Sequence, residues 1–185
     1  MFNNYRIVSN FLRVFLFPKR MPDKTQILDS KQAEMKLNRI AYEIVENNIE
    51  EKEIILAGIL DRGMDIAIQL KKNIEEISQI SVLLTGIQIN KDNPVEASLT
   101  DELSTKNKIV IIVDDVADSG RTSLYATRLF LDSLPKKIQI AVLVDRKHKR
   151  FPVSSDYIGL MLSTTLQEHI HVEVKKGKVV NAYLS

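Results

Sequence analysis

"IIVDDVADSGRTS", residues 111–123, runs an apolar segment straight into two adjacent acids and then into a short turn of Asp, Ser, Gly, Arg and Thr. Its neighbours decide how it is read. "KIVIIVDDV" (108–116) reads as a buried strand, "RTSLYATRLFLDSL" (121–134) as a helix, and "KIQIAVLVD" (137–145) as a second buried strand. Upstream, "EIILAGI" (53–59), "GMDIAIQLKKNIEEI" (63–77) and "SVLLTGIQI" (81–89) repeat the order strand, helix, strand. Such alternation predicts an α/β domain with a mostly parallel sheet flanked by helices, whose ligands bind beyond the carboxyl ends of the strands. The acids and the turn stand at such an end.

The remaining segments fit around this unit. "SKQAEMKLNRIAYEIVENN" places Ala33, Leu37, Ile40, Ala41 and Ile44 at helical spacing, with Asp29 or Ser30 as the cap. Residues 90–107 are polar and aperiodic, and they predict a loop long enough to be functional. "DYIGLML" and "HIHVEVKKGKVVNAYL" predict strands, with a C-terminal β hairpin turning at Lys176-Gly177.

The chain has 185 residues, 44% hydrophobic and 27% charged, which suits one soluble domain with a sizeable core. It contains no cysteine, which removes disulfides, thiolate metal sites and cysteine nucleophiles and fits a reducing, cytoplasmic setting. No apolar run approaches the roughly 20 residues that span a bilayer, so no membrane partner is expected. The net charge of +2 is uneven: residues 1–20 carry Arg6, Arg13, Lys19 and Arg20 with no acid, leaving −2 on residues 21–185. Residues 1–20 read as a basic, dispensable N-terminal extension, with Met21 as a candidate start, and residues 21–185 as the domain proper. A basic nucleic-acid surface on the body therefore has little support.

At the end of a parallel strand, Gly120 permits close backbone approach or positive φ, and the N–H groups of the turn and helix start form an anion cradle. Ser119, Thr122 and Ser123 add hydroxyl donors. The helix dipole contributes about 0.3–1 kcal/mol, so charge-assisted hydrogen bonds of roughly 1.5–3 kcal/mol each must do most of the holding. Asp114 and Asp115 would repel a bare phosphate, so something between them and it must take up negative charge. Ribose hydroxyls and a hydrated Mg²⁺ both do. The stretch reads as a sugar-phosphate site; G-x-x-x-x-G-K-[ST] and G-x-G-x-x-G are both missing.

"VIIVDDVADSGRT" resembles the phosphoribosyl pyrophosphate motif of the type I phosphoribosyltransferases, an apolar strand, two acids and a turn like D-[ST]-G-[RK]-[ST]. "LNRIAYEIVENN", "ILAGILDRGMDIAIQL", "IQIAVLVDRKHKRFPVSSDYIG" and "VEVKKGKVVNAYL" extend the resemblance, over most of residues 27–184, to the bifunctional pyrimidine-operon attenuator and uracil phosphoribosyltransferase branch. The resemblance implies the type I fold with a small hood. It implies Mg²⁺-dependent transfer of phosphoribose from phosphoribosyl pyrophosphate to a nucleobase, uracil first, as a salvage reaction in a homo-oligomer, dimer or higher. By resemblance, Asp114 and Asp115 hold ribose and, through water, the metal. Asp118, Ser119, Gly120, Arg121 and Thr122 take the 5′-phosphate, and Asp61, Arg62 and Gly63 the pyrophosphate. Tyr157 lies against the base and the Ile158 backbone bonds its edge. Catalysis would rest on Asp114, Asp115, Asp118 and Arg62, with the 90–107 loop as a lid.

Three departures from that branch bear on function. Its flexible loop usually carries Tyr-Arg-Asp-Asp, where this chain offers Lys91-Asp92, and Lys is a poor substitute for a bidentate Arg. Asp118 replaces a usual Tyr and matches the hypoxanthine-guanine enzymes, whereas Asp145-Arg146 follows the uracil branch. Tyr42 stands where the branch often has His, so RNA binding is left open but not favoured. The alternatives are a hypoxanthine/guanine-type enzyme and a non-catalytic regulator of pyrimidine genes that senses phosphoribosyl pyrophosphate or a nucleotide. His169 and His171 share a strand face without a third ligand nearby and read as solvated, as does His148 in "DRKHKR".

Overall fold

The structure is a computed structural model and describes residues 24–90, 93–163 and 168–185. The chain runs β1 (Thr25–Asp29), α1 (Ser30–Asn47), β2 (Glu53–Ile59), α2 (Arg62–Ile77), β3 (Ser81–Gln88), β4 (Ser98–Leu99) and β5 (Ile109–Ala117). It continues through α3 (Arg121–Leu131), β6 (Lys137–Arg146), β7 (Tyr157–Leu162), β8 (Ile170–Lys175) and β9 (Lys178–Leu184). Six strands form one sheet in the order β4-β3-β2-β5-β6-β7, and β1-β9-β8 form a second, antiparallel one. The extension at residues 1–20 and the Lys91-Asp92 pair lie outside the described residues. Among the described residues no helix is long and apolar enough to cross a membrane.

Strand alternation decides what each face of the large sheet buries. Along β5, Ile109, Ile111 and Val113 join the cluster under α1 and α2, while Val110 and Ile112 join Ala126 and Phe130 of α3. β2 divides the same way, with Ile54 and Leu56 on one side and Ile55, Ala57 and Ile59 on the other. Side chains that bury this completely stabilise the fold by about 1.5–3 kcal/mol each, which is why β2 from Ile54 to Ile59 and β5 from Ile109 to Val113 carry no polar side chain. Asp29 caps α1 in a reciprocal box: its carboxylate accepts the Gln32 N–H at 2.7 Å, and the Gln32 amide oxygen accepts the Asp29 N–H at 2.9 Å.

The connection order creates a switch point. From β2 the chain crosses through α2 to β3 on one side, and from β5 through α3 to β6 and β7 on the other. β2 and β5 are parallel neighbours with Gly58 beside Val113, so the segments that follow them leave the sheet together. A crevice opens between diverging connections at that place.

The strand expected in "DYIGLML" is β7, which pairs parallel with β6, Ala141 beside Tyr157. One segment differs from the sequence expectation. The 90–107 segment is not wholly loop, because β4 pairs antiparallel with β3. Thr100 ties it down, donating its N–H to the Gly86 carbonyl and accepting the Gly86 N–H, both at 2.9 Å. The hairpin itself turns at Lys176 and Gly177, both at positive φ.

Candidate active site

A cleft of about 320 Å³ occupies the switch point. Its walls are Asp114 and Asp115 from the end of β5, the turn Asp118–Thr122 that leads into α3, and Arg62 from the start of α2. Asp114 and Asp115 are each only 3% exposed, which is unusual for acids and requires partners. Asp114 accepts the Asp115 N–H at 2.9 Å, and Asp115 faces Arg62 with Nε at 3.0 Å from Oδ2. The other end of the Arg62 fork donates to the Val172 carbonyl on β8 at 2.9 Å. One guanidinium thereby joins the acid pair to the small sheet.

Gly63 lies behind this wall. A Cβ there would come within 2.6 Å of the Val113 carbonyl oxygen and 3.1 Å of Asp114 Cα, so only glycine lets α2 start this close to β5. The Leu60–Asp61 peptide that leads into it is cis.

The turn on the opposite side is shaped by Gly120, whose φ of 77° is left-handed and open to glycine without strain. α3 begins immediately after, with the Leu124 N–H reaching the Gly120 carbonyl at 3.0 Å, so its first N–H groups face the cleft mouth. The Ser119 hydroxyl accepts the Arg121 N–H at 3.3 Å. From behind, the β6–β7 connection straps the turn. The Ser119 carbonyl accepts two N–H groups, from Arg150 and Phe151, both at 3.1 Å. Lys149 anchors that strap: its Nζ sits 2.6 and 2.7 Å from the two oxygens of buried Asp145. Arg146 reaches the Asp118 carboxylate at 2.5 Å.

The structure thus brings Arg62, Asp114, Asp115, Asp118, Ser119, Gly120, Arg121 and Thr122 to one cleft. Arg150 joins them, though the sequence presented it only as part of a solvated basic run. The signal available in sequence was its place, directly after a parallel strand at the ligand-bearing edge.

Tyr157 and Ile158 are placed elsewhere. Tyr157 begins β7 beside Ala141, far short of the carboxyl edge at Arg146, and is 2% exposed. Its hydroxyl accepts from the Asn48 amide at 3.4 Å. The Ile158 carbonyl is taken by Arg39 of α1 at 2.5 Å. The register of β6 and β7 thus seats Tyr157 in the core and leaves Ile158 partly buried against it, and neither lines the cleft. None of residues 93–107 lines the cleft, so the described part of the expected lid stands away from it. His171 stacks on Tyr183 with centroids 5.1 Å apart and pairs with the Ser185 hydroxyl at 2.9 Å, a packing role.

Burial raises the Tyr157 pKa above the ordinary 10.0. Below pH 10 the phenol is protonated folded and unfolded; above it the unfolded chain releases its proton first, so stability falls as pH rises through the folded pKa. Denaturant melts from pH 8 to 11 are expected to show that loss in the native protein and a smaller one in Tyr157→Phe. Equal losses would remove Tyr157 as its source.

Residues 23–175 match the family described as the phosphoribosyl transferase domain. The chain belongs to that family. Bifunctional protein PyrR of Clostridium acetobutylicum is 38% identical over 162 residues, 82% of this chain and 91% of its own. Bifunctional protein PyrR of Haemophilus ducreyi is 35% identical over 159 residues, 80% and 89% of the two chains. Among solved structures, hypoxanthine phosphoribosyltransferase of Trypanosoma cruzi superposes with a TM-score of 0.71 at 16% identity, covering 85% of this chain and 95% of that one. A hypoxanthine-guanine phosphoribosyltransferase of Bacillus anthracis gives 0.65 at 22% identity, covering 76% and 83%. The fold is that of a type I phosphoribosyltransferase, an α/β fold with a mostly parallel sheet flanked by helices, a small hood and a C-terminal β hairpin, and the PyrR proteins are its sequence relatives.

Proposed function

We propose that this phosphoribosyltransferase moves phosphoribose from phosphoribosyl pyrophosphate to a nucleobase of the uracil class, in the presence of Mg²⁺. The observation that carries the reading is the position of Asp114 and Asp115 at the switch point, between Arg62 on one side and the hydroxyl-bearing turn on the other. The turn Asp118–Thr122 receives the 5′-phosphate, Asp114 and Asp115 the ribose hydroxyls, and Asp61, Arg62 and Gly63 the pyrophosphate. The C1–O bond to pyrophosphate breaks, the C1–N bond to the base forms, and the ring proton passes to water. Positive charge develops at C1 beside the buried acids, and negative charge on the leaving group beside Arg62.

Among the described residues no cluster of three His, Cys, Asp or Glu could hold a metal by itself. Two carboxylates, one already facing Arg62, fit an ion that keeps its water and borrows substrate oxygens, as Mg²⁺ does. When bound, Mg²⁺ would neutralise charge on the departing pyrophosphate. The uracil class is supported by the Asp145-Arg146 match to the uracil branch. It gains from Asp118 being turned to Arg146. The domain spans residues 21–185, acts in the cytoplasm and works as a homo-oligomer.

Incubation with phosphoribosyl pyrophosphate, Mg²⁺ and each of uracil, hypoxanthine, guanine and adenine tests this directly. Pyrophosphate release is expected with uracil. Release only with purines would move the protein to the hypoxanthine/guanine type, and silence with retained nucleotide binding would make it a regulator.

A further inference from the structure

The charges of "DRKHKR" (145–150) do not share one fate. Lys147, His148 and Arg150 are exposed, whereas the side chain of Lys149 is only 10% exposed and that of Asp145 only 2%. The Lys149 Nζ lies 2.6 and 2.7 Å from the two oxygens of Asp145, and neither residue lines the cleft. A buried ion pair is commonly no more stabilising than apolar side chains of comparable size, because both charges give up their water. What this pair adds is position.

Asp145 stands beside Ala117 in the register of β5 and β6, one residue before the phosphate turn begins at Asp118. From that fixed point the lysine stem lies against the turn itself. A Cβ built on Gly120 would meet Lys149 Cδ at 3.2 Å, closer than the Phe151 carbonyl oxygen at 3.5 Å or Val153 Cβ at 3.6 Å. The next two residues, Arg150 and Phe151, are those whose N–H groups hold the Ser119 carbonyl. If Nζ were released, the stem and both N–H groups could retreat, and Ser119 and Gly120 would follow them.

We infer that Lys149 is a positioning residue for the phosphate end of the substrate. Fastened to Asp145, it keeps Ser119 and Gly120 where the donors of the turn meet a 5′-phosphate, without touching that phosphate. The inference rests on the proposed role of the turn and adds to it a residue from outside the cleft.

The test is calorimetry of the full chain with ribose 5-phosphate and with ribose, beside urea midpoints. Lys149→Met combined with Asp145→Val replaces the ion pair by an apolar one. Its midpoint is expected to equal or exceed the native one, while ribose 5-phosphate binds about 10-fold more weakly, the scale of one charge-assisted hydrogen bond. Lys149→Gln, which keeps the stem and a donor towards Asp145, is expected to weaken binding in the same direction. In transfer assays the KM for phosphoribosyl pyrophosphate should rise by more than kcat falls. Native affinity in either folded variant would overturn the inference, as would affinity lost only in step with the midpoint. A native chain that binds ribose as well as ribose 5-phosphate would reject the phosphate role of the turn, and the inference with it.

Discussion

Replacing Asp114 and Asp115 together by asparagine is expected to lower phosphoribosyl transfer by about 10²–10³-fold or more, the scale seen when one preorganised electrostatic contact to a transition state is lost. The fold should survive, because asparagine keeps the shape. Its side-chain oxygen at position 114 can still accept the neighbouring N–H, as Asp114 does at 2.9 Å. At position 115 the change leaves Arg62 a neutral acceptor in place of a carboxylate at 3.0 Å. The matching measurements are pyrophosphate release and the urea midpoint. A variant that keeps full turnover would dismiss the acid pair from the reaction. A variant that loses both turnover and fold would show the pair to be structural.

Gly63→Ala is expected to damage stability and activity together, through a different cause. The added methyl group would meet the Val113 carbonyl at 2.6 Å and Asp114 Cα at 3.1 Å, both backbone atoms that cannot swing aside. Overpacking of this kind costs about 1–3 kcal/mol. Relief can come only by moving the start of α2 away from β5, which carries Arg62 off the acid pair. A lowered urea midpoint with a larger proportional drop in transfer is the expected result. An unchanged midpoint would mean that the contact relaxes easily, contrary to the packing described here.

The central unit was legible because its sequence states several things at once: an apolar strand, two acids, a glycine turn and an amphipathic helix. β2 matches its expected span of 53–59, and β5 lies within one residue of the expected 108–116. β1 was not legible, since Thr25–Asp29 is mostly exposed and acquires its strand partner only from β9 at the far end of the chain. β4 is two residues at a sheet edge, too short for any periodicity to announce it. The depth of Tyr157 in the sheet was not legible for a similar reason. A motif can name the residue, but the pairing of Ala141 with Tyr157 decides which end of the sheet it reaches. Arg150 was hidden for the opposite reason. Lys149 and Arg146 look like ordinary solvated charges until the chain path brings them to Asp145 and Asp118.

The strap behind the turn bears on how tightly a phosphate can be held. Because the Ser119 carbonyl is gripped by two N–H groups and Lys149 is pinned to a buried acid, the cradle is ordered before any ligand arrives. The entropy of arranging its donors was lost when the chain folded, and association does not lose it again. What opposes binding at that end is the removal of water from the phosphate and the donors. The donor-bearing surface of this protein is a mould rather than a glove.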